Sequence, residues 1–347
     1  MPKVSVGLDL GYNSIKIVSL SSDGKQTKLV SLGLIPTPQP GLVSDSDLDL
    51  EKVAGAIKQL MAAAKIESKD ITAALPESKV FTRVIDDLPY LSDNELPSAI
   101  RYASEEFIPL PLTEVNLNWQ VLYRSQPKDK VSKTIVLVVA SPKNLVNKYI
   151  KVLNLAGLKP KALETDIIAS SRSLVGSNPF SPTSLIVQMG ATTTDFAVVS
   201  KGLIWLTRSI STGGMSLTRT LAQQFNFEIT QAEEYKRVYG LREDQLEGKV
   251  FESLKQIIDI ILGEIKRVIQ AFEIKYPGNA IKRVVLSGGG AKMPGLVFYL
   301  ANNLGLEVQE ADPWYGVTKD PNLNAKLAQE ASLYSIAVGL ALRELQV

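Results

Sequence analysis

The 347-residue chain has no cysteine and no histidine. Their absence excludes disulfides, thiolate nucleophiles, imidazole bases and the usual zinc ligands in one step. Any chemistry falls to carboxylates, hydroxyls, lysines, backbone amides or a hard metal ion. Charge of one sign is also scarce: 38 Lys plus Arg stand against 36 Asp plus Glu, a formal net charge of +2. No basic tract is dense enough to follow a phosphodiester backbone, so nucleic acid is not an expected partner. No apolar run reaches the roughly 20 residues that a bilayer span requires. The start, Met1-Pro2-Lys3-Val4, lacks a basic segment followed by an apolar one, and the expected location is cytoplasmic.

What is present is ample core material, 45% hydrophobic residues, enough for two domains. Val4 to Leu10 alternates, breaks at Gly11-Tyr12-Asn13-Ser14 and resumes from Ile15 to Leu20, which predicts a hairpin. A third strand near Lys28 to Ile35 stops at a proline- and glycine-rich stretch ending at Gly41, and Leu50 to Ala64 has helical spacing. From Glu77 to about Val152 the texture changes and predicts an inserted subdomain. It holds a strand at Val80 to Ile85, a helix starting near Ser92 with a Ser92/Glu95 capping box, a strand at Thr134 to Ala140 and a helix from Pro142 to Ala156. The second half opens as the first did: Leu185 to Val187 and Phe196 to Val199 flank the polar turn Gly190-Ala191-Thr192-Thr193-Thr194-Asp195. Phe251 to Phe272 reads as a long core helix.

Three glycine-bearing turns carry the chemistry. In the first, Asp9 ends a strand, Gly11 permits close backbone approach, Asn13 and Ser14 supply polar groups and Lys16 a positive charge. Such a turn cradles phosphate, and its carboxylate can hold a hydrated magnesium ion; an ordinary hairpin looks the same. The second offers Gly190, three hydroxyls and Asp195, a pattern that plain threonine-rich hairpins share. The third, Val285-Leu286-Ser287-Gly288-Gly289-Gly290, is an apolar strand running into three glycines and then a helix start, where a flat base could lie against bare backbone. Gly213-Gly214, before the helix from Ser216, fits a phosphate or ribose approach and a plain helix entry equally.

The order of these elements resembles the actin-like ATPase superfamily over nearly the whole chain. Val6-Gly7-Leu8-Asp9-Leu10-Gly11 resembles its first phosphate motif, Gly190 to Asp195 its second, and Val285 to Gly290 its adenosine motif. Within the superfamily the chain is most similar to the PilM family of type IV pilus assembly. Glu105-Glu106-Phe107-Ile108-Pro109-Leu110-Pro111, Ala232-Glu233-Glu234-Tyr235-Lys236-Arg237, Asp312-Pro313-Trp314 and Ala337-Val338-Gly339-Leu340-Ala341-Leu342-Arg343 support this. The resemblance implies a two-lobed α/β fold of ribonuclease H-like repeats. Its first lobe would span residues 1–76, 153–175 and 330–347, an inserted α+β subdomain 77–152, and the second lobe 176–329.

The resemblance also implies ATP and Mg2+ between the lobes. Asp9 would lie near magnesium through water. Gly11, Asn13, Ser14 and Lys16 would meet the phosphates from one side, and Gly190, Ala191, Thr192 and Thr193 from the other. Gly288, Gly289 and Gly290 would meet the adenosine, and Glu233 and Lys236 the ribose and base, although an i, i+3 salt bridge would look identical. One departure matters. The second phosphate motif of the superfamily usually opens with an aspartate that organises magnesium-bound water, and Gln188 stands there. An amide oxygen can accept from such a water but brings no charge, so binding is expected to survive where fast turnover does not, making the protein at most a slow ATPase. Asp166, where relatives keep an acid near the attacking water, would otherwise cap a helix.

The family implies an adaptor at the inner-membrane pilus platform, holding the cytoplasmic tail of a PilN-like membrane protein beside the inserted subdomain. Membrane contact would come only through that partner; self-association stays open. An FtsA-like division protein is the nearest rival, but that family ends in an amphipathic membrane helix, whereas Leu345-Gln346-Val347 follows a core-like helix directly. A small-molecule kinase of the same superfamily would need a carboxylate poised over a substrate hydroxyl, and no candidate stands out.

Overall fold

In the computed structural model, residues 2–125, 132–176 and 181–345 are described. Apolar residues at every second position, Val6, Leu8, Ile15 and Ile17, bury one face of the hairpin formed by β1 (Lys3–Leu10) and β2 (Ser14–Ser22). A third antiparallel strand, β3 (Thr27–Pro36), follows, then α1 (Asp47–Ala63) and β4 (Asp70–Leu75), which lies parallel to β1. A sheet of its own comes next, built from β5 (Phe81–Pro89), β6 (Val115–Arg124) and β7 (Lys133–Pro142) in the order β5-β7-β6, with α2 (Leu96–Ser104) across one face. The chain returns through α3 (Lys143–Leu155) to β8 (Lys159–Thr165), parallel to β4, and enters α4 (Asp166–Leu174).

The plan then repeats. The strands β9 (Ser184–Met189), β10 (Thr194–Ser200) and β11 (Leu203–Ile210) form an antiparallel meander followed by α5 (Gly214–Phe225), α6 (Ile229–Tyr239) and the long α7 (Lys249–Lys275). β12 (Arg283–Ser287) is parallel to β9, and α8 (Leu296–Leu304) leads to β13 (Glu307–Glu310). A short β14 (Val317–Thr318), α9 (Asn324–Gln329) and α10 (Ser335–Arg343) close the chain. The orders β14-β3-β2-β1-β4-β8 and β11-β10-β9-β12-β13 thus share one motif, a three-stranded meander whose first strand has a parallel neighbour. α7 is the core helix its stripe predicts: Leu254, Ile258, Ile261, Ile265 and Val268 are buried against the second sheet.

Several features differ from the sequence expectations. The helix expected near Ser92 starts at Leu96. Glu95 does reach back to the Ser92 amide at 2.9 Å, but the Ser92 hydroxyl donates to the same carboxylate at 2.6 Å instead of capping an amide. α3 packs with the first sheet, its Val152 and Leu153 joining Val6, Leu8 and Ile57. Trp314, Val317 and Leu327 pack on the same sheet beside Val18 and Leu20. The apolar stretch at Phe107 to Leu112 fills the insertion's own core, where Ile108 is buried with Val115 and Ala140. On its other face the insertion presses Val84, Leu122, Ile135 and Leu137 against Ile186, Ala197 and Val199 of the second sheet.

Candidate functional site

Parallel strands end at a common edge, and that edge is where the side chains gather. β1, β4 and β8 run parallel, and each delivers an acid at or just past its C-terminal end: Asp9, Glu77 and Asp166. In the hairpin ladder Asp9 faces Lys16, and the two form a salt bridge of 2.9 Å. Lys16 also donates to the Ser14 carbonyl at 3.3 Å. Gly11 is required by this geometry, because a Cβ there would stand 2.8 Å from the Ser14 oxygen and 3.2 Å from the Lys16 ammonium. The Thr37 hydroxyl fastens the turn through the Gly11 carbonyl at 2.7 Å, leaving Asn13 at the exposed tip.

The second turn closes with the Gly190 amide on the Thr193 carbonyl at 2.9 Å, with Thr192 exposed at its tip. The start of α5 docks directly on it. The Gly214 and Met215 amides donate to the Gly190 and Ala191 carbonyls at 2.9 and 2.8 Å, and a Cβ at Gly213 would meet Ala191 at 2.8 Å. Lys236 of α6 reaches across to the Gly214 carbonyl at 3.1 Å, the Thr218 hydroxyl at 2.9 Å and the Glu233 carboxylate at 2.6 Å. Burial lowers the Lys236 ammonium below its ordinary value. Burial also pushes Glu233 upward, but Lys236, Thr218 and Arg237 outweigh it and hold the carboxyl below its usual range. The i, i+3 pair is therefore a salt bridge, and one that ties α6 to the start of α5.

Two of the three glycines in the run are required by packing. Gly288, at φ +80, lies where a Cβ would overlap the Met189 carbonyl, and a Cβ at Gly290 would stand 2.6 Å from the Met189 side chain. These two glycines let the turn close on the end of β9, next to Gly190. Gly289 alone is exposed with room above it, its nearest neighbour a Leu333 methyl at 3.5 Å.

Asp166 is not the helix cap that was its simplest reading. Thr165 holds the cap position, and the Asp166 carboxylate accepts from the Glu77 amide at 3.1 Å, 89 residues away in sequence. Burial first, then the charges of Asp195, Glu77 and Asp9, raise Asp166 well above the ordinary carboxyl range. Burial likewise lifts Asp195 to about 6, against the hydroxyls of Ser209 and Thr193 that lower it. Gln188 pairs with Asp195 across the β9–β10 ladder, is 3% exposed, and its Oε1 has no hydrogen-bond partner among the described residues. The structure thus joins Gly190, Gly213, Gly214, Gly288 and Gly290 around the end of β9, holds Lys236 on Gly214 and Glu233, and brings the charges of Asp9 and Asp195 within reach of Asp166. Sequence reading missed Glu77, Thr218 and Met189. Glu77 had a signal: an acid directly after an apolar strand and Pro76, at the same end of the sheet as Asp9 and Asp166.

Two sheets that repeat one meander motif define an actin-like protein. The chain belongs to the family described as type IV pilus assembly protein PilM, whose model matches residues 7–345. It is similar to the cell division protein FtsA of Enterococcus faecalis (strain ATCC 700802 / V583), 22% identical over 368 residues that cover 87% of this chain and 79% of the relative. Among solved structures, the PilM-PilN type IV pilus biogenesis complex aligns with a TM-score of 0.85 and 26% identity, covering 98% of both chains. MreB 5 of Spiroplasma citri bound to AMPPNP aligns at 0.55 with 14% identity over 99% of this chain and 96% of that one, a likeness of fold. No helix among the described residues is long and apolar enough to cross a membrane.

Proposed function

We propose that this chain is an ATP-binding adaptor of the type IV pilus inner-membrane assembly platform, and that it holds the cytoplasmic tail of a PilN-like protein. One observation carries the nucleotide reading: the end of β9 is contacted at once by the third glycine turn, through Met189, and by the start of α5, through Gly190 and Ala191. In this reading the two sheets are the cores of two lobes. Gly11, Asn13, Ser14 and Lys16 would face the phosphates from the first, and Gly190 to Thr193 with Gly213 and Gly214 from the second. Gly289 leaves its side open for the adenosine, with Glu233 and Lys236 fixed alongside.

The orphaned Gln188 oxygen is the observation that fits a hydrated cation. A buried acceptor with no donor is costly, and a metal-held water supplies one. Asp9 would carry the charge facing that water. When bound, Mg2+ supplies charge neutralisation for the phosphates. With a neutral amide at position 188, water activation is poor, and ATP acts chiefly as a ligand that stabilises one closure of the lobes for the partner to read.

Calorimetry of the full-length protein with ATP and Mg2+, and then with a peptide from the cytoplasmic tail of the PilN-like neighbour, tests both halves. The expected result is nucleotide binding and peptide binding at micromolar affinity or better, the second altered by the first. A folded protein that ignores ATP, or that binds lipid vesicles unaided and no such peptide, would overturn the reading.

A further inference from the structure

Lys236 has no hydrogen left to give. Its ammonium carries three N–H donors, and three acceptors already hold them: the Gly214 carbonyl at 3.1 Å, the Thr218 hydroxyl at 2.9 Å and the Glu233 carboxylate at 2.6 Å. The side chain is 12% exposed. A ribose or a base beside it would find no free donor. Thr218 is buried as well, and having accepted from Lys236 it donates its own proton to Glu233 at 2.6 Å.

The far end of α6 is fastened as closely. The Leu241 amide donates to the Pro294 carbonyl at 2.7 Å, and Cβ atoms at Gly240 and Gly295 would stand 2.5 Å from the Pro294 oxygen and 2.6 Å from the Leu241 oxygen. Pro294 follows the turn of Gly288 to Gly290, and that turn rests on Met189. The contacts therefore close into a ring. They run from Gly190 and Ala191 to the start of α5, through Lys236 to α6, from Leu241 to Pro294, and through Gly288 back to the end of β9. Main chain meets main chain at each of these joints except that between α5 and α6, whose polar links are the side chains of Lys236, Thr218 and Glu233.

We propose that α6 is the closing member of this frame, and that Lys236 and Thr218 are positioning residues in it, setting the second turn for phosphate and giving no hydrogen bond to the nucleotide. This departs from the superfamily's placing of Lys236 on the ribose and base. The proposal rests on the nucleotide reading for the ligand, and on the unliganded geometry alone for the frame. Loss of either side chain loosens the start of α5 and, with it, the Gly190 turn, while Pro294 keeps its amide from Leu241. The cost then falls on the triphosphate and spares the adenosine.

The test uses the full-length protein with ATP and Mg2+ by calorimetry and with adenosine by NMR titration. Thr218→Val keeps the shape and removes the hydroxyl; it should weaken ATP binding about tenfold and adenosine binding less than about twofold. Thr218→Ser, which restores the hydroxyl, should recover most of the loss, and Lys236→Met should repeat the split. In the unliganded protein, hydrogen exchange at the Gly214 and Met215 amides, which donate to Gly190 and Ala191, should quicken about fivefold or more in Thr218→Val, with the Leu241 amide unchanged. Equal losses for ATP and adenosine would place these side chains on the ribose or base and overturn the proposal, as would unaltered exchange at Gly214 and Met215. A wild type that binds neither ligand, with the faster exchange still present in the variants, would sustain the frame and refute the nucleotide reading instead.

Discussion

Gly339 of α10 crosses Ala169 of α4 so closely that a Cβ at position 339 would overlap the Ala169 carbonyl. These two helices lie between the sheets, with α10 against β1 and α4 against β10. Gly339→Ala is therefore expected to cost about 2 kcal/mol or more, because backbone cannot yield as a flexible side chain can. Gly55→Ala makes the comparison, since nothing lies within 4 Å of a Cβ at that mid-helix position. It should stabilise by roughly 0.5–1 kcal/mol. Urea denaturation of both variants checks the contrast, and equal effects would contradict the packing described.

Arg172 and Arg343 converge on the buried Glu164. Arg172 makes two contacts of 2.5 and 2.8 Å and Arg343 one of 2.9 Å, and Arg172 also donates to the Gly339 carbonyl. Arg172→Met should destabilise by about 2–4 kcal/mol by leaving Glu164 half-paired. The double variant Arg172→Met with Glu164→Leu should recover most of that loss. Additive losses in denaturant titrations would show that the charge pair is not the cause.

Lys236 fixes the Gly214 carbonyl, Thr218 and Glu233 together. Lys236→Met should lower ATP affinity about tenfold or more by releasing α6 from the start of α5, which docks on the second turn. Unchanged affinity by calorimetry would remove this helix from the site.

Gln188→Asp restores a charge beside Asp195 and should sharpen the magnesium dependence of nucleotide binding. Wild-type phosphate release is expected to stay below about 1 s⁻¹, the low end of common turnover values. A faster unmodified protein would show that the amide suffices.

Tyr102 on α2 and Trp119 and Val121 on β6 are exposed apolar residues of the insertion, and β6 is the outer strand of its sheet. Trp119→Asp with Tyr102→Ser should weaken binding of the PilN-like peptide at least tenfold while leaving the melting temperature within about 2 °C. Undiminished binding would move the docking surface elsewhere.

The repeated sheets were legible because alternation and turn residues are local signals: Val6, Leu8, Ile15 and Ile17 mark their strands without reference to anything distant. The two polar turns were legible as turns for the same reason, as was the i, i+3 pairing of Glu233 and Lys236. What stayed hidden depends on residues remote in sequence. Nothing near Gly288 announces that its neighbour is Met189, and the partner of Asp166 is an amide 89 positions earlier. The start of α2 slipped to Leu96 because the Ser92 hydroxyl found the Glu95 carboxylate before any helical amide.

The insertion is spliced into the chain between two strands of the first sheet, yet its apolar face is seated on the second, with Val84 and Leu137 against Ile186 and Ala197. It therefore behaves as a strap over a joint. The sheets can swing apart only as far as that seat allows before the apolar layer must peel open. A pull on the insertion from outside divides between its two covalent roots and its non-covalent seat. Tension at the insertion is thereby transmitted to β9, the strand that ends in Gly190.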